Sequence, residues 1–252
     1  MSADQDNTAQ FSARDAAFLA EMGIAPLWHA RAEAVTIEAA PVLDTPVQEA
    51  PPAAASTEPD LGQMDWRGLN EAIAQCARCG CKDGRKAVLG DGARSAVWMV
   101  AAGATTSADE AERTPLAGAP GKLLSNMLAA VQLSREENVY VTNLVKCRPV
   151  SANGGERAPT ADEVAACRPF VERELALCGA SVVLTLGQVA TNALLAQPQQ
   201  QALADSRGAV HAFNDAALVA TLHPGELLRR GSDKALAWAD LCLARSSHGQ
   251  PR

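Results

Sequence analysis

Residues 139–149 read VYVTNLVKCRP. Valine, tyrosine and valine run as in a strand and the run turns polar at Thr142 and Asn143. A cysteine, Cys147, then follows between Lys146 and Arg148, and Pro149 closes the phrase. A thiol set between two cations at the mouth of a strand asks for a ligand, and the segments on either side show what fold would present it.

From Trp66 onward, strand and helix patterns alternate. SAVWMVAA (95–102) reads as strand, GKLLSNMLAAVQL (121–133) as helix and NVYVTNLV (138–145) as strand. TADEVAACRPFVERELALC (160–178) is helical, with Thr160 as its N-cap and Glu163 completing a capping box. SVVLTLG (181–187) reads as a buried strand, QVATNALL (188–195) as helix, ALVATLHP (217–224) as strand and DKALAWADLCLA (233–244) as helix. Such alternation implies right-handed crossovers and a parallel sheet covered on both faces. The expected fold is therefore a three-layer α/β/α domain over roughly 66–245 around a central, mainly parallel four-stranded sheet. Sites in such sheets lie at the carboxyl ends of the strands. Thr142 and Asn143, Gly187 and Gln188, and His223 and Pro224 all fall at strand ends and should converge.

Ahead of that domain, residues 34–65 hold an Ala/Pro/Glu-rich stretch without periodicity, expected as a disordered linker that cannot offset its ordering entropy. Before it, RDAAFLAEMGIAPLWHAR (14–31) predicts a short amphipathic helix within 1–33, with Gly23 as C-cap and Pro26 as stop. Residues 246–252 are expected as a disordered tail. Residues 1–65 carry eleven acids against two arginines, so the net charge of −7 hides a mildly basic remainder. There is no cationic, apolar leader pattern and no apolar run long enough to span a bilayer, so the expectation is a cytoplasmic monomer without membrane contact. In that compartment seven cysteines point to metal binding or packing, not to disulfides.

Cys76 and Cys79 form C-x2-C in CARCGC, with Cys81 close behind. Two close thiolates plus two distant ones, Cys147 and Cys167, can complete a four-cysteine site for either zinc or a four-iron cluster. Lys146, Arg148 and Arg168 are expected to lower the thiol pKa values and offset thiolate charge. Cys178 and Cys242 sit on apolar helix faces and are expected to be packing residues.

Together, T-N-L-V-K-C-R-P, the C-x2-C, E-V-A-A-C-R-P-F, the L-G-x-x-A helix start and T-L-H-P-G-E-L-L-R resemble the family 4 uracil-DNA glycosylases, from about Trp66 to Arg245. The resemblance implies a [4Fe–4S] cluster on Cys76, Cys79, Cys147 and Cys167. It also implies DNA, uracil-containing or single-stranded, as partner. His223 would stabilise the departing uracil anion and Asn143 would read the base edge. Simpler roles for the pair are a helix-capping histidine and a strand-end cap. Arg207, Arg229 and Arg230 are expected at phosphates, without sequence preference.

Two positions depart from that family. Its first strand ends in G-E-A-P-G, where the Glu is thought to position the attacking water; here AAGAT (101–105) places Ala102 at that point. Leu116 stands at the place of the aromatic ring that stacks on the flipped base, and Asp109 retains one acid of a following pair. Losing one group that stabilises a transition state costs roughly a hundred- to a thousandfold in rate. The expected activity is hydrolysis of uracil from DNA, weak or lost.

The N-terminal helix resembles the start of the psi subunit of the bacterial polymerase III clamp loader, through Arg14, Asp15, Leu19, Met22, Gly23, Ile24, Trp28 and Arg31. That resemblance implies a chi-like partner bound through Leu19, Met22, Ile24 and Trp28, and with it a second expectation: a non-catalytic replisome adaptor on a glycosylase fold.

Overall fold

The computed structural model describes residues 60–79 and 86–247. The N-terminal peptide with Leu19, Met22, Ile24 and Trp28, the linker before Asp60, Cys81 and the residues after Ser247 lie outside the described residues. The described fold begins ahead of the expected boundary at Trp66. Leu61–Gln63 form a 3-10 turn capped by the Asp60 carboxylate, and Arg173 Nε donates to the carbonyl of Met64 at 2.7 Å.

Among the described residues, six strands form one sheet. β1 (Asp91–Gly92), β2 (Trp98–Ala104), β3 (Val139–Val145), β4 (Val182–Leu186), β5 (Val210–Phe213) and β6 (Ala216–Thr221) are ordered β1-β3-β2-β4-β6-β5. The inner four are parallel and are the four strands expected from the sequence. Two short antiparallel edge strands extend them. β5 joins β6 through a tight turn at Asn214 and Asp215, with Asn214 at φ 49, a conformation asparagine tolerates in hairpins. The inner strands are buried almost without interruption, as a sheet covered on both faces requires.

Residue parity divides the core. Met99, Tyr140, Leu144, Val183 and Leu218 face one layer, which includes α4 (Ala161–Cys178) and α5 (Gln188–Leu194). Trp98, Val100, Ala102, Val141, Leu184 and Val219 face the other, where α3 (Gly118–Ala130) and α8 (Lys234–Ser247) contribute Leu124, Leu128, Leu241 and Ala244. α3 starts earlier than predicted because Pro120 sits in its first turn, where a missing N–H costs no helical bond. α4 has the predicted capping box: Thr160 Oγ1 accepts from Glu163 N–H while Glu163 Oε2 accepts from Thr160 N–H. Short helices complete the set: α1 (Trp66–Ala74), α2 (Ser107–Glu112), α6 (Leu203–Ser206) and α7 (Pro224–Arg229).

The chain leaves β2 toward β3 on one side and returns to build β4 and β6 on the other. The carboxyl ends of β2 and β4 therefore flank a topological switch point, where a crevice for ligand forms. Cys178 is buried as expected. Cys242 is not: it faces solvent, because Leu241 and Ala244 take the inward face of α8.

Candidate active site

Asn143 and Ala102 are register partners in β3 and β2, so both point to the layer of α3. Asn143 is 1% exposed. Its Nδ2 donates to Asp109 Oδ2 at 3.1 Å and Thr105 Oγ1 at 3.2 Å. Thr105 spends its own proton on the carbonyls of Val145 and Lys146, so its oxygen is left to accept. An ionised carboxylate can only accept, so Asp109 fixes which end of the Asn143 amide faces it. Asn143 Oδ1, buried and without a partner among the described residues, is therefore the atom presented to a ligand. A buried acceptor of that kind is matched by a ligand group that offers an N–H.

Asp109 is itself locally prescribed. T-S-A-D (106–109) forms a capping box at the start of α2: Thr106 Oγ1 accepts from Asp109 N–H and Asp109 Oδ2 accepts from Thr106 N–H at 3.0 Å. Its other oxygen accepts from Ala117 N–H at 2.7 Å. Three hydrogen bonds hold the carboxylate, of about four it can accept. The T-x-x-D spacing was the sequence signal that would have fixed its register.

His223 arrives from the end of β6 and caps α7, its Nδ1 accepting from Gly225 N–H at 3.1 Å. With Nδ1 accepting, the neutral ring carries its proton on Nε2, which leaves that nitrogen free of the cap. Burial pushes the His223 pKa below its ordinary 6.5, and the charges of Glu226 and Asp109, which favour the imidazolium, do not offset that. Gly187, at φ 84, passes so close that an added Cβ would lie 3.3 Å from His223 Cβ, and Gly187 N–H donates to Thr221 O at 2.8 Å. The expected convergence of strand ends thus holds for Asn143, Gly187 and His223. Thr142 instead turns to the opposite face, where its Oγ1 lies 2.6 Å from Lys146 Nζ and 3.0 Å from Glu174 Oε2.

Leu116 is 5% exposed, lies in the apolar cluster that contains Ala102, and adopts φ 53, the left-handed region. Arg229 and Arg230 are exposed, together with Leu228, which sequence reasoning missed although it stands between the His-Pro turn and the two arginines. Arg207 is held otherwise: its Nε donates to Asp240 Oδ2 at 2.8 Å, and both side chains are largely buried. The Arg207 Nε is thus engaged by a carboxylate within the domain.

Cys167 lies in the layer on the far side of β3 from Asn143. Cys167 is buried, and burial pushes its thiol up to about 11; a backbone hydrogen bond from Lys146 and the Lys146 charge pull down, while Cys79 and Cys76 push up further. Lys146 thus lowers the Cys167 thiol as expected of a basic neighbour, and burial outweighs it. The three cations are engaged elsewhere, Lys146 with Glu174 at 2.7 Å, Arg148 with Glu110 at 2.6 Å and Arg168 with Glu172 at 2.8 Å. Cys76 packs against the Leu69, Ile73 and Phe170 cluster, and Arg78 N–H donates to its sulfur at 3.5 Å. Among the described residues, no group of three or more His, Cys, Asp or Glu side chains is gathered tightly enough for a single metal ion. No described helix is long and apolar enough to cross a membrane.

A doubly covered parallel sheet whose carboxyl rim carries a buried amide, a carboxylate and an imidazole defines an α/β/α class with a polar site at its strand ends. The Uracil DNA glycosylase superfamily matches residues 90–243. The chain is 32% identical over 188 residues to a type-4 uracil-DNA glycosylase of Pyrobaculum aerophilum, covering 71% of this chain and 93% of the relative. It is 32% identical over 124 residues to one of Sulfurisphaera tokodaii, covering 49% and 54%, and 30% identical over 149 residues to one of Saccharolobus solfataricus, covering 58% and 67%. The chain belongs to the uracil DNA glycosylase superfamily, in its type-4 branch.

Proposed function

We propose that the protein hydrolyses the N-glycosidic bond of uracil in DNA as a repair enzyme. The observation that carries this reading is the buried carboxylate of Asp109 at the carboxyl rim of the sheet, which accepts from Asn143 Nδ2 and whose charge is felt by His223. A nucleotide must leave the stack to reach such a site. Leu228 supplies an apolar wedge for the gap, and Arg229 and Arg230 neutralise phosphates beside it. Asn143 Oδ1 accepts the imide N–H of uracil, which cytosine lacks at that ring position. The Nε2–H of His223 donates to the base oxygen on which negative charge grows. Asp109 places a negative charge near the sugar as it becomes cationic, and its remaining acceptor position holds water, a partial replacement for the carboxylate missing at Ala102. Leu116 covers the base with a smaller surface than a ring, so turnover is slow.

Protein in excess over an oligonucleotide with a single uracil should yield an alkali-labile abasic site. An intact oligonucleotide after prolonged incubation would favour the alternative of a non-catalytic adaptor, for which the buried Ala102 in place of the family's glutamate speaks. The same assay has an expected pH course. Protonating Nδ1 would set an N–H against Gly225 N–H, and burial delays that event to below 6.5. The rate should stay level as pH falls to 6.5 and decline only beneath it; a decline that begins above 6.5 contradicts the assignment.

Cys76, Cys79, Cys147 and Cys167 are the residues that would hold a four-iron cluster. Support comes from Cys167, which feels both Cys76 and Cys79 and bonds the backbone of Lys146, next to Cys147. Such a cluster supplies a structural tie between the segment before β1, the end of β3 and α4. Anaerobically purified protein should be brown and bleach with oxidant and chelator, whereas a colourless zinc-loaded preparation contradicts the assignment.

A further inference from the structure

We infer that Arg135 is a positioning residue of this site, holding the backbone at Pro115 and Leu116 so that Leu116 stays in its left-handed conformation over the base pocket. A residue with a Cβ does not rest at φ 53 unless its surroundings over-determine it. Three groups do so here. Arg135 reaches across from the segment between α3 and β3, its Nη1 donating to Pro115 O at 3.2 Å and its Nη2 to Leu116 O at 3.4 Å. Beside it stands Gly121, where an added Cβ would lie 1.9 Å from Leu116 O and 3.5 Å from Arg135 Nη2. Asp109 then takes the next N–H, that of Ala117.

The guanidinium is drawn inward at a cost. Burial pushes its pKa down even though Asp91, Glu136 and Asp109 pull it up, and its buried Nε–H has no acceptor among the described residues. The clamp also walls an open concavity of about 410 Å3 lined by Leu116, Gly118, Lys122 and Arg135, on the outer side of the loop. The consequence for base capture rests on the glycosylase reading; the clamp itself does not.

Arg135→Ala and Gly121→Ala attack the same carbonyl in different ways, one removing its donor and the other crowding it. Both should speed hydrogen exchange at the Ala117 amide by about tenfold while leaving β3 amides unchanged. On an oligonucleotide with one uracil, both should lower kcat by about tenfold with KM within about twofold, because the phosphate contacts lie elsewhere. The double variant should be no worse than the poorer single one. Added guanidinium ion should restore part of the rate to Arg135→Ala and none to Gly121→Ala. Should either alanine variant fail to fold, Arg135→Lys, which keeps the charge and loses the planar fork, should shift exchange in the same direction. Unchanged exchange at Ala117 in every variant overturns the clamp. Faster exchange with unchanged kcat overturns its role in base capture. A wild-type protein that releases no uracil refutes the glycosylase reading, and exchange then decides the clamp alone.

Discussion

Replacing His223 by alanine is expected to slow uracil release roughly a hundred- to a thousandfold, because one donor aimed at a developing negative charge is worth that much in a closed site. The ring is fixed before substrate arrives. Its Nδ1 is engaged by Gly225 N–H, its Nε2 carries the proton, and Gly187 leaves room behind it. His223→Gln, which can keep a donor but not the ring's reach, should fall between. Affinity for an abasic oligonucleotide should hardly change, since His223 makes no phosphate contact in this scheme. Single-turnover assays under protein excess measure the effect. A His223→Ala variant within about threefold of wild type would show that the imidazole merely caps α7.

The largest effect on stability is expected from Lys146→Met. Lys146 and Glu174 meet at 2.7 Å with side chains 2% and 1% exposed, deep between β3 and α4. Glu174 also accepts from Tyr140 Oη at 3.2 Å and Thr142 Oγ1 at 3.0 Å. Burial first, and then the Glu174 charge, hold the Tyr140 phenol well above its ordinary pKa, so the tyrosine remains a donor. Removing the lysine strands a carboxylate with two neutral donors, a change that costs about 3–5 kcal/mol. Replacing both partners by apolar residues of similar size, Lys146→Met with Glu174→Leu, should recover most of the loss, because two desolvation penalties disappear together. Urea unfolding at constant pH distinguishes these outcomes. A single variant that loses under about 1 kcal/mol would mean that water reaches the pair.

That pair also marks a limit of what the sequence disclosed. Lys146 follows an apolar strand directly, and beside Cys147 it was expected as a charge that offsets thiolates. Only the depth of β3 in the sheet, and the arrival of Glu174 from a helix 28 residues later, make it an interior one. The four parallel strands were legible because a strand covered on both faces must be apolar throughout. The edge strands were not: β1 is two residues long, and β5 is an Ala- and His-containing stretch with three of its four residues at least partly exposed. Asn143 and His223 were visible as polar residues closing apolar runs. The orientation of the Asn143 amide was not, since it depends on Asp109 and Thr105, which are 34 and 38 residues away in the chain. The left-handed backbone at Leu116 was equally hidden, because no glycine or asparagine announces it.

The most direct measurement is a crystal structure with DNA that carries 2′-fluoro-2′-deoxyuridine, whose glycosidic bond resists hydrolysis. The base should lie outside the helix with its imide N–H on Asn143 Oδ1, one carbonyl oxygen facing His223 Nε2, and Leu228 in the space it left. A base that stays stacked in the duplex, or one bound away from Asn143 and His223, would contradict the account.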